Sequence, residues 1–323
     1  MFMETKQFWV NAPRRGQIVT AVLPPRQPGE VLCRALYSGV SRGTETLVFR
    51  GEVPSSQYQA MRAPFQEGEF PGPVKYGYSS VAEVVEGPGE LTGQTVFCLF
   101  PHQDHYLAPV SAVTVLPGGV PPDRAVLAAN METAVNILWD ALPGVGDRVV
   151  VVGGGVVGLL CAWLCGHYPG TEVTVVDINP ARSGPARALG VSCQTELPPE
   201  GTADLVIHAS GHPDGLRSAL MAAGREATIV EASWFGTREV SLPLGEAFHA
   251  RRLTVRSSQV GQVSPARGPR WTRARRMGLA VRLLFDDRLD VLISEESPFE
   301  TLPSVMARLS DTPGDTLCHR IRY

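Results

Sequence analysis

The run VVVVGGGVVG at 149–158 constrains this chain more than any other stretch. Four consecutive valines are β-branched and apolar on both sides, as a strand buried on both faces of a parallel sheet must be. Three glycines end the strand, and VVGLLCAWLC continues as an apolar helix. The spacing is G-x-G-x-x-G, at Gly153, Gly155 and Gly158. A strand before it and a helix after it are the context that gives this motif meaning. Gly153 allows the tight turn, Gly155 lets a diphosphate approach the backbone, and Gly158 lets the helix pack against the sheet. The N–H groups of Val156, Val157 and Gly158, at the positive end of the helix dipole, would then face the phosphates. The motif therefore points to a dinucleotide.

The next strand, TEVTVVDIN, ends in Asp177, nineteen residues past Gly158, with Ile178 beside it. A carboxylate there accepts hydrogen bonds from the adenosine ribose and repels a 2′-phosphate, which favours NAD. Arg182, five residues on, would pair a phosphate, so NADP stays as the less favoured alternative. A plain βαβ unit that uses its glycines only for packing is the competing reading. The register of strand, glycines, helix and acid speaks against it.

The same rhythm of strand and helix continues through ADLVIHASG, HPDGLRSALMAAG, ATIVEASW and RLTVRSSQVG. Alternation of this kind predicts an α/β doubly wound parallel sheet, a Rossmann domain. Ligands of such sheets lie beyond the carboxyl ends of the strands. That places Ala209, Ser210, Ser257, Ser258 and Gln259 with the cofactor, while His208, inside a strand, reads as a core or flank residue. The first 120 residues differ: short β-type runs such as QIVTAVL, GEVLCRALYSGV, YSSVAEVVEG and QTVFCLF are separated by Gly and Pro. They predict a mostly antiparallel, barrel-like domain. A Pro/Gly-rich break, PGGVPPDRAV, separates the two patterns. A helix is expected from about residue 265, and the tail ends in a short strand. Its basic stretch WTRARRM reads as a solvated helix face, with a contact to an acidic substrate as the alternative. The division is thus 1–120, 121–262 and 263–323.

Of the 323 residues 44% are hydrophobic and 19% charged, as in soluble globular enzymes. A net charge of -3 offers no electrostatic case for nucleic acid or an anionic membrane as partner. No apolar run reaches the roughly 18 residues of a membrane span. The start, MFMETKQFWVNAPRRGQ, lacks the basic and apolar regions of a secretory signal, so a cytoplasmic location is expected. The six cysteines form no C-x-x-C pair. Cys161 and Cys165 read as small core residues.

Taken together, the barrel-like domain, the Rossmann domain and the short return resemble the medium-chain dehydrogenase/reductase superfamily, the zinc alcohol dehydrogenase-like proteins. The resemblance spans essentially the whole chain. It is carried by FPGPVKYGYSSVAEVVEGPG, TVFCLFPHQDHYLAP, LAANMETAVNILWDAL and SPFETLPSVMARL besides the glycines. SGVSRGTE, PHQD and ANMETAVNILWDA look most like the branch that includes bacteriochlorophyllide a dehydrogenase. The resemblance implies a GroES-like β-barrel catalytic domain before the Rossmann domain, a nicotinamide cofactor, a small-molecule substrate and a homodimer. It also implies that Arg42 reaches the cofactor diphosphate and that Thr133 belongs with the cofactor residues.

Zinc members hold the metal through a first-turn Cys, the His of a Gly-His-Glu, and a Cys or Glu on a later helix. Here those positions carry Ser41, Gly77-Tyr78-Ser79, and a residue between Ala129 and Glu132. Hydroxyls are poor zinc ligands, so no catalytic zinc is expected. Hydride exchange with an alcohol or ketone then needs another oxygen stabiliser and another proton carrier. The candidates are Tyr78, in the ligand position; His102, on the PHQD loop; and Glu132 with Asn136, four apart on one helix. Each has a structural alternative: barrel packing for Tyr78, a surface loop for His102, helix bracing for Glu132. The leading expectation is a zinc-independent NAD(P)-dependent oxidoreductase of secondary alcohols and ketones. A quinone or enoyl reductase of the same fold and a non-catalytic dinucleotide-binding protein are the alternatives.

Overall fold

Short β-type runs separated by Gly and Pro fill much of the first 120 residues, and the chain answers with strands. In the computed structural model, which describes residues 3–323, these are β1 (Met3–Ala12), β2 (Arg15–Leu23) and β3 (Glu30–Val40). The short helix α1 (Thr44–Phe49) follows, then β4 (Glu67–Gly68), β5 (Val74–Lys75), β6 (Ser80–Glu86), β7 (Thr95–Cys98), β8 (His105–Pro109) and β9 (Val113–Val115). Helix α2 (Ala128–Ala141) precedes β10 (Arg148–Val152), α3 (Val156–Cys165), β11 (Glu172–Val176), α4 (Ser183–Ala188) and β12 (Ser192–Gln194). Next come β13 (Ala203–His208), α5 (Pro213–Ala222), β14 (Ala223–Glu231) and β15 (Thr254–Ser257). The chain closes with α6 (Arg273–Leu283), β16 (Ile293–Pro298), α7 (Leu302–Asp311) and β17 (Cys318–Arg322). No helix among the described residues is long and apolar enough to cross a membrane.

The elements group into two compact units, one of residues up to 129 with 277–323, the other of 130–276. In the first, the barrel-like architecture is built from two sheets. One has the order β2-β1-β5-β4, the other β16-β17-β3-β6-β7-β9 with β8 along β3. Pairing is antiparallel except between β16 and β17. Val31, Cys33, Ala82, Val84, Val96, Phe100 and Tyr106 fill one core of this unit. In the second unit the sheet order is β12-β11-β10-β13-β14-β15, all parallel. Counted within the unit this is 3-2-1-4-5-6, the doubly wound order of dinucleotide-binding domains. Central β10 is buried along Val149–Val152, and Cys161 and Cys165 on α3 are core residues.

Three details depart from the sequence reading. The helix expected from about 265 begins only at Arg273, because Pro265 and Pro269 lack the N–H a helix needs and Gly268 lies between them. The tail holds a further helix, α7, whose Leu302, Val305, Met306 and Leu309 are buried at helical spacing. The unit boundaries fall at 129/130 and 276/277, where the sequence placed breaks at 120 and 262. Side-chain bonds explain both shifts. Ser79 Oγ donates to the Val126 carbonyl at 2.6 Å, holding 121–129 to the first unit. Arg276 and the Ser264 N–H bond to Asn136, holding 263–276 to the second.

Candidate active site

The glycine loop of the second unit has the geometry its sequence implies. Gly153 takes φ +109°, a conformation that side chains resist, and a Cβ on it would lie 2.6 Å from the Ser210 nitrogen. A Cβ on Gly158 would lie 1.9 Å from the Gly153 carbonyl oxygen, so close packing of α3 on the turn demands glycine there. Gly155 is different: nothing lies within 4 Å of the place its Cβ would take. The fold has no use for that space. Above it the N–H groups of 156–158 precede the first intrahelical bond, from Leu159 N–H to the Gly155 carbonyl at 2.9 Å. An anion approaching Gly155 would meet free N–H donors at the positive end of α3.

Asp177 closes this cradle. Its Oδ2 accepts the Gly154 N–H at 2.6 Å and its Oδ1 accepts the Asn179 N–H at 2.8 Å. The carboxylate is thus fixed by backbone donors, with lone pairs left for hydroxyl groups. Neighbouring Ile178 is 93% exposed. Arg182 is buried, its stem against Gly154. At the other strand ends, Ala209 N–H donates to the Val152 carbonyl at 2.8 Å, and Ser210 Oγ lies 2.6 Å from His208 Nε2. His208 is fully buried, as its place in a strand implied, and its Nδ1 is 2.6 Å from Glu231 Oε2. Ser257 ends exposed β15, Ser258 Oγ donates to Asp140 Oδ2 at 2.6 Å, and Gln259 Oε1 accepts the Gly261 N–H at 2.7 Å.

In the first unit, the turn that leads from β3 into α1 is held by a buried line of polar groups. The Ser41 N–H donates to Glu45 Oε1 at 2.8 Å. Glu45 Oε2 lies 2.8 Å from His102 Nε2, His102 Nδ1 lies 2.7 Å from Ser38 Oγ, and Ser38 Oγ lies 3.0 Å from the Tyr323 hydroxyl. His102 is 1% exposed with both ring nitrogens engaged, so the surface-loop alternative weighed for it does not hold. It braces Glu45. Tyr78 is partly exposed, with Tyr76 edge-on at 6.0 Å. Burial raises the Tyr78 phenol far above the usual tyrosine range and the Glu45 charge raises it further, against smaller opposing effects of the Ser41 and Thr44 hydroxyls. Tyr78 is therefore a phenol that stays protonated. Arg42 donates through Nη1 to the Thr316 carbonyl at 2.8 Å.

No family model matches the chain. D-guloside 3-dehydrogenase of Escherichia coli is 26% identical over 303 residues, which span 84% of this chain and 85% of that protein. The 2-desacetyl-2-hydroxyethyl bacteriochlorophyllide A dehydrogenase of Rhodobacter capsulatus is 28% identical over 267 residues, 76% of this chain and 78% of the relative. Among solved structures, L-idonate 5-dehydrogenase of Escherichia coli shares the fold with a TM-score of 0.82 at 15% identity, covering 100% of this chain and 99% of its own. In sequence pattern and in fold the chain is similar to the medium-chain dehydrogenases and reductases. Its likeness is to NAD(P)-dependent oxidoreductases.

The resemblance aligned three positions with the zinc ligands of medium-chain dehydrogenases: Ser41, Tyr78 and one between Ala129 and Glu132. Ser41 offers a hydroxyl, Tyr78 a phenol held protonated, and Glu132 a carboxylate already engaged. Among the described residues no three His, Cys, Asp or Glu side chains come together as a metal group. Glu132 and Asn136 do face one way on α2, as their spacing implied, with Thr133 half-buried between them. What brings them together is Arg276. The sequence assigned its stretch to a solvated face, yet Arg276 is 2% exposed. Its Nε donates to Glu132 Oε1 at 3.0 Å and its Nη1 to Asn136 Oδ1 at 2.5 Å. A carboxylate buried on α2 needs a cation opposite, and α6, entered from the proline-rich turn, delivers one. Burial still raises the Glu132 carboxyl above its ordinary range, with Arg276 opposing.

Sequence reasoning named Tyr78, His102, Glu132 and Asn136 but missed Ser38, Tyr323, Arg276, Asp140 and Glu231. Only Asp140 carried a local signal, its position four residues after Asn136 on the same helix.

Proposed function

We propose that this chain is a zinc-independent, NAD-preferring oxidoreductase that interconverts a secondary alcohol and its ketone. The observation that carries the reading is the empty space over Gly155, roofed by free N–H groups of α3 and closed by the fixed Asp177 carboxylate. Gly153, Val156, Val157 and Gly158 hold the diphosphate there, and Asp177 takes the ribose hydroxyls and rejects a 2′-phosphate. When bound, the nicotinamide supplies or accepts the hydride. The chain's own part is the proton. Tyr78, kept as a phenol by burial and by Glu45, donates to the developing alkoxide as a ketone is reduced, and returns to the phenol from water. Ser41 and Thr44 lie beside it, and His102 with Ser38 and Tyr323 holds Glu45 in place. Glu132 accepts from Arg276, Asn136 is shared among Arg276, Asp140 and the Ser264 N–H, and both serve as bracing. Two relatives are named as dehydrogenases of hydroxyl-bearing compounds, a guloside and a hydroxyethyl bacteriochlorophyllide, which supports an alcohol as substrate.

The test is a cofactor titration followed by a substrate panel. NADH should bind more tightly than NADPH, and secondary alcohols or ketones, not enones, should change the nicotinamide absorbance. Turnover confined to enones would replace this reading with a double-bond reductase. Absence of binding of either cofactor at millimolar concentration would end both.

A further inference from the structure

We propose that Ser210, His208 and Glu231 form a buried positioning line that shapes the nicotinamide half of the dinucleotide site, with Arg276 anchoring its far end. The proposal rests on the dinucleotide reading above. A 3-2-1-4-5-6 sheet consists of two mononucleotide-binding halves, and a dinucleotide lies across both. The glycine loop and Asp177 belong to β10 and β11, in the first half. The second half, β13 to β15, must receive the nicotinamide nucleotide at its carboxyl edge.

Three chain segments leave that edge, and one line of hydrogen bonds ties all three. After β13, Ser210 Oγ pairs with His208 Nε2 at 2.6 Å and accepts the His212 N–H at 3.2 Å. His208 Nδ1 pairs with Glu231 Oε2 at 2.6 Å, and Glu231 Oε1 accepts the Ser233 N–H at 2.6 Å, which fixes the exit from β14. The Glu231 carbonyl accepts the Ser258 N–H at 2.9 Å, beyond β15. From there Ser258 Oγ and Asn136 Nδ2 both donate to Asp140 Oδ2, at 2.6 and 3.1 Å. Asn136 Oδ1 accepts from Arg276, whose other donors hold the Val260 and Gln262 carbonyls at 2.6 and 3.1 Å.

Two features mark this as more than packing. The line ends against the glycine loop, since a Cβ on Gly153 would meet the Ser210 nitrogen. It also requires a glycine of its own: a Cβ on Gly215, in the first turn of α5, would lie 2.2 Å from Ser210 Oγ and 2.7 Å from His208 Nε2. In the neutral tautomer with Nδ1–H donating to the Glu231 carboxylate, Nε2 is the acceptor and Ser210 turns its proton inward. Loops fixed this way before a ligand arrives do not have to be ordered when it binds.

The positioning role separates from general stability through two ligands. ADP-ribose carries the diphosphate and adenosine ribose but lacks nicotinamide; NADH carries everything. His208→Leu and Gly215→Ala should weaken NADH about tenfold, the cost of one buried hydrogen bond, while ADP-ribose affinity stays within about twofold. His208→Gln, which keeps a donor toward Glu231 and an acceptor toward Ser210, should restore NADH to within about threefold of the parent protein. Gly215→Ala carries the test if the leucine variant does not fold, because alanine favours the helix there. Unchanged NADH affinity, or equal losses for both ligands, would overturn the positioning line. If the parent protein binds neither ligand, it is the dinucleotide reading that fails, and this proposal with it.

Discussion

Gly155→Ala should separate what the fold needs from what the ligand needs. Gly155 has φ -75° and ψ 180°, ordinary extended backbone for any residue, and its missing Cβ faces open space. An alanine there meets no clash and reduces the freedom of the unfolded chain, so stability should rise by about 0.4–1 kcal/mol. For a unit of this size that is a gain of about 1–4 °C in Tm. Binding should go the other way. The new methyl occupies the approach of the diphosphate to the backbone and forfeits at least one charge-assisted hydrogen bond, worth about 1.5–3 kcal/mol. NADH affinity should fall by about ten- to a hundredfold. Gly158→Ala is the counterpart. Its Cβ would sit 1.9 Å from the Gly153 oxygen, roughly 1.6 Å inside ordinary contact. Both atoms belong to backbone, so α3 must shift, at a cost of about 1–3 kcal/mol or more. Calorimetric titration with NADH and thermal unfolding of both variants decide the matter. A Gly155→Ala protein that binds NADH like the parent would show that the space over Gly155 is not the diphosphate site. One that loses several degrees of Tm would show that the fold itself uses the glycine.

Four further outcomes follow from the same geometry. Glu45→Gln removes a charge that helps keep the Tyr78 phenol protonated. If Tyr78 is the proton donor in ketone reduction, as proposed, the rate is lost as pH rises through the Tyr78 pKa, and the variant should lose it at lower pH; an unmoved alkaline limb would remove Tyr78 from the proton step. Arg276→Met leaves Glu132 buried without its cation and should cost about 3–5 kcal/mol in denaturant unfolding. The Glu132 carboxyl is raised in the folded state, so its contribution is present below the unfolded pKa and lost as pH rises through the folded one. The variant's loss should therefore deepen with rising pH, and a flat difference between pH 4 and 8, a range of about four units, would contradict the pairing. Asp177→Asn keeps one of the two backbone contacts but loses the charge, and should shift the NADH/NADPH affinity ratio about tenfold toward NADPH. Incubation with a strong chelator should leave turnover unchanged; one tightly bound zinc per chain, with activity lost on its removal, would refute zinc independence.

The dinucleotide unit was legible in the chain because its determinants are local. Strand, glycine turn, helix and Asp177 lie within thirty residues, and each acts through backbone geometry that periodicity and glycine spacing encode directly. The expected strands of the first unit were legible for the same reason, although not their partners. His319 lies opposite Val40 in the sheet, a register that no local pattern announces. The residues proposed for the proton step show the limit most clearly. Tyr78 and His102 were found by position, but their states were not. His102 lies 57 residues from Glu45, Ser38 lies 285 from Tyr323, and Arg276 lies 144 from Glu132. Glycine spacing and the acid at the next strand end were enough to place the expected dinucleotide site. Tertiary structure alone decided which carboxylates are buried, which partner answers each, and which phenol is pushed to titrate higher, because ionisation depends on neighbours in space and on exclusion of water, and neither is a property of a residue's place in the chain.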